Sequence, residues 1–151
     1  MPTIRVQLVT PERTLLDEQV DSLTCPTTEG QITILPNHEP LVAMIQAGEL
    51  LAHFKDRTSA IAVAGGFIEV RPGNMVVVLA DAAQHAAEID EAEANQAMLR
   101  AAEDMKQYKA TDSAFVAARA AYHHHTVRLS LARKHNKRTD NPAVSDAIFK
   151  Q

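Results

Sequence analysis

The placement of glycine and proline constrains this chain more than any motif does. All five glycines (Gly30, Gly48, Gly65, Gly66 and Gly73) fall in the first half, and from Asn74 to Asn141 there is neither a glycine nor a proline. These residues shape turns and interrupt helices, so the first half must reverse direction often while the second can run unbroken. A long interval free of breakers and rich in Ala, Leu, Glu, Lys and Arg is what long helices require. At 151 residues the chain can bury about 68–70% of its unfolded surface, enough for a core. There is no basic, apolar, small-residue leader, and the longest apolar run, near Met75–Ala80, is far short of the roughly 20 residues a membrane span needs. A soluble protein made in place is expected. The single cysteine, Cys25, has no internal disulfide partner and no cation close to it in sequence, so it reads as a small buried apolar residue in a reducing compartment.

In the first half, Ile4, Val6 and Leu8 alternate with Arg5 and Gln7, the period of a half-buried strand. Further strands are expected at 15–20, 22–25, 32–35, 41–45, 50–54, 60–63, 67–70 and 75–79. Turn signals separate most of them, including Glu29-Gly30, Gly65-Gly66 and Pro72-Gly73-Asn74. Many short strands at close spacing predict an antiparallel sandwich or barrel over residues 1–84. The stretch Thr27–Leu41 stands out within it, because Pro36 and Pro40 bracket Asn37, His38 and Glu39. Two prolines four apart fix φ and withhold donors, so the loop presents its side chains in a defined way.

The second half predicts two helices over 85–138. Asp90 reads as the N-cap of the first, with Glu93 as its capping-box partner and Glu91 adding charge where the helix dipole favours it. Ala92, Met98, Leu99, Ala102 and Met105 form its expected apolar stripe. Thr111, Asp112 and Ser113 break and recap the chain. The second helix carries Phe115, Ala118, Tyr122, His125, Leu129 and Ala132 at spacings of three and four, a seam for pairing with another helix. The short connection predicts an antiparallel hairpin. Charge divides its arms: residues 88–112 hold seven acids and three bases, a net of −4, whereas 113–138 hold six bases and no acid. Two readings stay open: Arg119, Arg128 and Arg133 rest on the acids of the first helix, or an acidic partner competes for them.

No catalytic set assembles. His123, His124 and His125 point about 100° apart on a helix and cannot converge on one metal ion; His125 falls on the seam, with His123 and His124 expected in solvent. No Walker-type loop, His-Glu-x-x-His motif or nucleophile elbow is present. The basic run Arg133–Arg138 sits on an acidic chain, with few stacking aromatics on that helix, so nucleic acid is not expected as a partner. A docking role for the His38 loop therefore outranks catalysis.

Six segments in order resemble the epsilon subunits of bacterial F-type ATP synthase: Val9-Thr10-Pro11-Glu12-Arg13, Pro26-Thr27-Thr28-Glu29-Gly30, Ile34-Leu35-Pro36-Asn37-His38, Gly65-Gly66-Phe67-Ile68-Glu69-Val70, Pro72-Gly73-Asn74 and Val78-Leu79-Ala80-Asp81. The resemblance covers the N-terminal half. It implies a ten-stranded antiparallel β-sandwich followed by an antiparallel two-helix hairpin, on the rotor between the gamma subunit and the c-subunit ring. The implied subunit is not an enzyme: it couples proton-driven ring rotation to ATP synthesis, and its hairpin can inhibit ATP hydrolysis. Glu29, Gly30 and Gln31 would face the c-ring, with Gln31 where an acid is common. Pro36, Asn37, His38 and Pro40 would form the rotor-docking loop. Arg119, Arg128, Arg133 and Lys134 would meet an acidic segment of the beta subunit in the alpha–beta catalytic head. A nucleotide motif of some members matches Ile89, Asp90, Glu93 and Ala94, but Glu93 stands at the arginine position, so ATP binding is expected to be weak or absent; no metal or other cofactor is expected. The implied location is the cytoplasmic face of the bacterial plasma membrane, held only through the complex. Residues 139–151 extend beyond the usual pattern, with a short helix expected near Val144–Phe149. The competing expectation is a β-sandwich adaptor of another complex with a static hairpin.

Overall fold

The structure, a computed structural model, describes residues 2–140, with side chains described to Lys137. The helix expected near Val144–Phe149 lies outside the described residues. The chain divides into two compact units, Met1–His85 and Ala86–Gln151. Among the described residues, no helix is long and apolar enough to cross a membrane.

The first unit is a β-sandwich made from one continuous sheet of eight strands: β1 (Ile4–Val9), β2 (Thr14–Val20), β3 (Ser22–Thr27), β4 (Gly30–Ile34), β5 (Leu41–Met44), β6 (Gly48–His53), β7 (Thr58–Arg71) and β8 (Met75–His85). The order across it is β2-β1-β8-β7-β6-β3-β4, with β5 also paired to β7. Alternation in the sequence becomes alternation in burial: Ile4, Val6 and Leu8 of β1, Val76 and Val78 of β8, and Ile68 and Val70 of β7 all enter the core while the residues between them turn outward. Cys25 lies in that core.

Eight strands replace the ten expected, and Gly65-Gly66 is not a turn. The segments expected as separate strands at 60–63 and 67–70 are one fourteen-residue strand, β7. It pairs with β8 in a single register from Ile61↔His85 to Arg71↔Met75. The glycines are needed inside that ladder because the backbone there is left-handed and the partner strand fills the place of a side chain. A Cβ built on Gly66, at φ +104°, would stand 1.9 Å from the Leu79 carbonyl oxygen, and one on Gly65 would stand 2.2 Å from an Asp81 carboxylate oxygen. A second correction concerns direction. The sheet is not wholly antiparallel, since β1 runs parallel to β8, Arg5↔Met75 through Val9↔Leu79, anchored where the Arg5 amide donates to Asn74 O at 2.8 Å. A period of two shows which residues share a face but not which strand lies alongside, nor in which direction.

The second unit opens with a 3-10 turn at Ala86–Glu88, followed by α1 (Glu91–Gln107) and α2 (Ser113–Asp140). The α1 cap forms as expected: the Asp90 side chain accepts from the Glu93 amide at 3.1 Å. Between the helices the Asp112 carboxylate accepts from the Lys109 amide at 3.1 Å. The expected α2 seam is inward, with Ala118, Leu129 and Ala132 buried and Phe115, Tyr122 and His125 half-buried. The α1 stripe is corrected in part, since Met98 and Met105 lie inward as expected. Leu99 is 53% exposed and Ala92 is exposed; the inward face is Ala94, Met98, Ala101 and Met105, spaced by four, three and four. Both stripes fit a helical period and share Met98 and Met105, so spacing alone does not say whether Ala94 and Ala101 or Ala92 and Leu99 complete the inward face.

Replacing Gly66 with Ala forces both a left-handed φ and a clash with backbone, and is expected to cost roughly 3 kcal/mol or more. Gly73→Ala, at φ +82° but with nothing within 4 Å of the added Cβ, is expected to cost only about 1–2 kcal/mol. Urea unfolding of the two variants measures the difference.

Candidate functional site

Two candidate docking elements of the sandwich lie at opposite ends of β5. At one end, Glu29, Gly30 and Gln31 make the exposed β3–β4 turn. Gly30 takes φ +112°, and the turn is tied down by the Thr27 hydroxyl, which donates to Gly30 O and accepts from the Glu29 amide at 3.3 Å. The Thr28 amide donates to Met44 O at 3.0 Å, which fixes this turn to the end of β5. At the other end, Pro40 leads directly into β5. Leu35-Pro36-Asn37-His38 closes as a turn, the His38 amide donating to Leu35 O at 3.2 Å. Proline in the second place and a left-handed Asn37, φ 67°, are the residues a type II turn prefers.

Proline alone does not hold this loop. Asn74, itself left-handed at φ 59°, accepts the Asn37 amide on its side-chain oxygen at 2.6 Å, while its backbone carbonyl receives the Arg5 amide. His38 is exposed, and its Nδ1 donates to Glu39 O at 2.7 Å. No base, nucleophile or metal set accompanies it; among the described residues no cluster of three or more His, Cys, Asp or Glu could hold a metal ion.

At the Met44 end of β5 a further feature crosses the sheet, one that the sequence pattern alone did not single out. Val9, Leu79, Phe67 and Met44 stand directly opposite one another across β1, β8, β7 and β5. They form an apolar row on the outer face of the sheet. Leu79 is 54% exposed, Phe67 51%, Met44 55%, and Val42 in the adjacent row 65%. Contiguous exposed apolar residues of this size mark interaction surfaces. The signal was in the alternation: Ile68 and Val70 face the core, so Phe67 must face out.

A cleft of about 490 Å³ between β2 and the β6–β7 turn, lined by Asp17, Glu18, Phe54, Arg57 and His85 among others, offers no chemistry of this kind. His85 Nε2 donates to Leu15 O at 2.9 Å, Asp17 pairs with Arg5, and Arg57 lies 4.0 Å over the Phe54 ring and 3.9 Å from Glu18. Cys25 is equally unsuited to nucleophilic work, since burial pushes its thiol up to about 12.

In the helical unit the structure brings together residues expected to act separately. Arg128 is a buried cation, its side chain 9% exposed, bound to the Glu93 carboxylate at 2.5 Å and to His125 Nδ1 at 2.9 Å. Glu93 therefore does not close a reciprocal capping box: its amide is capped by Asp90, but its carboxylate belongs to Arg128, whose hydrogen bond holds it below the usual carboxylate range. Arg133 pairs with Glu91 at 3.2 Å, and Asn136 donates to the same carboxylate at 3.0 Å. Arg119 and Lys134 are exposed. The expectation for the histidines is partly reversed. His123 is exposed, but His124 is half-buried, with a buried Nδ1 that has no hydrogen-bond partner among the described residues. Ile89 and Ala94, the apolar members of the nucleotide-motif match, are buried, while Asp90 and Glu93 are occupied as described.

Replacing Asn74 with Ala removes the acceptor for the Asn37 amide and is expected to cost about 1–2 kcal/mol. It should speed exchange of the Asn37 amide, whereas Asn74→Asp, which keeps an acceptor oxygen, should restore protection.

The family model of the ATP synthase delta/epsilon chain β-sandwich domain matches residues 3–86. The chain is 42% identical over 135 residues to the ATP synthase epsilon chain of Herpetosiphon aurantiacus, covering 89% of this chain and 98% of that one. It is 40% identical over 137 residues to the epsilon chain of Dehalococcoides mccartyi, covering 91% and 97%. Its fold is similar to that of a chain in the cryo-EM structure of the Euglena gracilis mitochondrial ATP synthase OSCP/F1/c-ring, with TM-score 0.70, 23% identity and coverage of 84% of this chain and 80% of that chain. A chain of the Tetrahymena thermophila mitochondrial ATP synthase central stalk and c-ring gives TM-score 0.55 at 17% identity, with 89% and 96% covered. The chain belongs to the epsilon-chain family of bacterial F-type ATP synthases.

Proposed function

We propose that this chain is the non-catalytic central-stalk subunit of an F-type ATP synthase, joining the c-ring to the gamma subunit so that proton-driven rotation reaches the catalytic head. The observation that carries the reading is the identity of 42% spread over 98% of a relative named ATP synthase epsilon chain, which spans helices as well as sandwich. The fold likenesses to chains of F1/c-ring and central-stalk assemblies support it.

In this reading residues 1–84 are the docking domain. The Glu29–Gly30–Gln31 turn faces the polar loops of the c-ring. The loop of Pro36, Asn37, His38 and Pro40 receives gamma, together with the Val9–Leu79–Phe67–Met44 row, which crosses the outer face of the sheet at the other end of β5. A four-residue strand spans roughly 13 Å, so the ends of β5 can touch different partners at once. Residues 85–138 form an antiparallel hairpin, a reading supported by the pairing of Glu93 with Arg128 and of the earlier Glu91 with the later Arg133. Its basic arm restrains ATP hydrolysis by meeting an acidic segment of the beta subunit in the catalytic head, with Arg119, Arg133 and Lys134 exposed for first contact and Arg128 engaged only after it leaves Glu93. The protein sits at the cytoplasmic face of the bacterial plasma membrane through the complex alone.

Introducing charge into the apolar row, as Phe67→Glu, should weaken binding to purified gamma by at least about tenfold; undiminished affinity places gamma elsewhere. In the holoenzyme, Arg133→Glu with Lys134→Glu should raise ATP hydrolysis while leaving proton-coupled synthesis in place. Unchanged or lower hydrolysis removes the inhibitory half of the reading.

A further inference from the structure

The contacts of Arg128 restrict the protonation state of its neighbours. A guanidinium has only donors, so the His125 Nδ1 it meets at 2.9 Å must carry a lone pair; the ring is neutral, with its proton on Nε2. The His124 ring lies 5.3 Å from that of His125, and its own Nδ1 is buried with no hydrogen-bond partner among the described residues. Several charges face this cluster. Glu93 and Arg100 act from α1, Asp90 acts on Glu93 at the α1 cap, and Arg128 acts from α2 itself. Glu88 is the charged residue of the 3-10 turn, which packs against α2. A proton placed on His125 Nδ1 removes the acceptor and sets a second cation beside Arg128, leaving one half-exposed carboxylate to serve both. A proton on His124 Nδ1 has no partner among the described residues to receive it.

We propose that Glu93, Arg128 and the His124–His125 pair form a latch between α1 and α2 that acid opens, so that pH sets how readily the two helices part. The latch needs no ligand, because the carboxylate that fills it is the chain's own. Its sign follows from the two histidines. Burial, reinforced by His125 and Arg128, pushes His124 down to about 4 from an ordinary 6.5, and burial with Arg128 lowers His125. The parted helices then bind more protons than the closed pair, so the latch is at full strength above about pH 6.5 and weakens as pH falls from there toward 4. Glu93, lowered chiefly by its hydrogen bond to Arg128, loses its contribution only below its ordinary 4.5, beneath most of the histidine window.

Hydrogen exchange of the full chain tests this, with intrinsic rates corrected for pH and the amides of β7 and β8 as internal reference. Between about pH 7.5 and about pH 5, protection of α1 and α2 is expected to fall roughly tenfold or more relative to the sandwich. Equal protection at both pH values overturns the proposal without any substitution being made. The double variant His124→Phe, His125→Gln, which keeps an acceptor for Arg128, should flatten the pH response; an undiminished response in that variant overturns the histidine mechanism. Glu93→Gln should lower protection of both helices already at neutral pH, and unchanged protection there overturns the role of the carboxylate. The measurement reads the helical unit alone, so its outcome is independent of whether the chain acts on a rotor.

Discussion

The sandwich depends on one ladder, the pairing of β7 with β8. It holds a single register from Ile61↔His85 to Arg71↔Met75, and the remaining strands are attached to it: β5 and β6 to β7, β1 to β8, β2 and β3 one step further out, and β4 beyond β3. At Gly66 the ladder takes a left-handed φ, and the Leu79 carbonyl lies against the place where a side chain there would begin. Glycine resolves that conflict without a bulge or a shift of register. Because the register survives there, Ile68 and Val78 meet in the core while Phe67 and Leu79 meet outside. The same pairing that builds the interior therefore composes the exposed apolar row, and a one-residue slip would exchange the two.

The helical unit is held by different means. Its α1 face alternates alanine with methionine, and Ala94 and Ala101 are the buried members. Small side chains let helices approach closely but remove little apolar area from water, at about 25 cal/mol per Å². A buried arginine then carries unusual weight. Removing Glu93 leaves the guanidinium without its partner in a poorly solvated place, whereas removing Arg128 leaves a half-exposed carboxylate that water can reach. The exposed pair of Arg133 with Glu91, by contrast, is worth at most about 1 kcal/mol. Backbone geometry fixes the sandwich, whereas α1 and α2 are joined by an apolar seam with a buried arginine set in it.

This difference explains what could be read from the sequence. Breaker placement located the two regimes, alternation found the inward face of β1, and Asp90 marked the start of α1, because each of these signals is local. Gly65-Gly66 misled because a left-handed pair serves a tight turn and a crowded ladder equally well, and only the partner strand distinguishes them. The parallel course of β1 beside β8 depends on residues about seventy apart and leaves no trace in a period of two. Leu99 and Ala94 lie on competing helical stripes that share Met98 and Met105, and spacing alone does not choose between them. His125 was placed on the seam by spacing, but the burial of His124 follows from the width of that seam. The apolar row was legible in principle, since a phenylalanine out of phase with Ile68 and Val70 must face outward. The candidate loops were found by their prolines and glycine, although the Asn74 contact that holds Asn37 joins two positions thirty-seven apart and lay beyond any local rule.

Glu93 links these themes. At the third position of α1 its amide is capped by Asp90, which any residue would allow, so its side chain is free for another use. An arginine there would have faced Arg128 with like charge, and the close approach seen in this structure would require an anion from outside to bridge them. Glutamate supplies that anion internally and makes closure of the pair a property of the chain itself. Arg128 cannot serve Glu93 and an external carboxylate at once, because a guanidinium held at 9% exposure has to be rehydrated before it can be offered elsewhere. A partner that draws the basic arm away must therefore begin with the exposed Arg119, Arg133 and Lys134 and displace Glu93 last. A proton on His125 lowers the cost of that final exchange by weakening what Arg128 would leave behind.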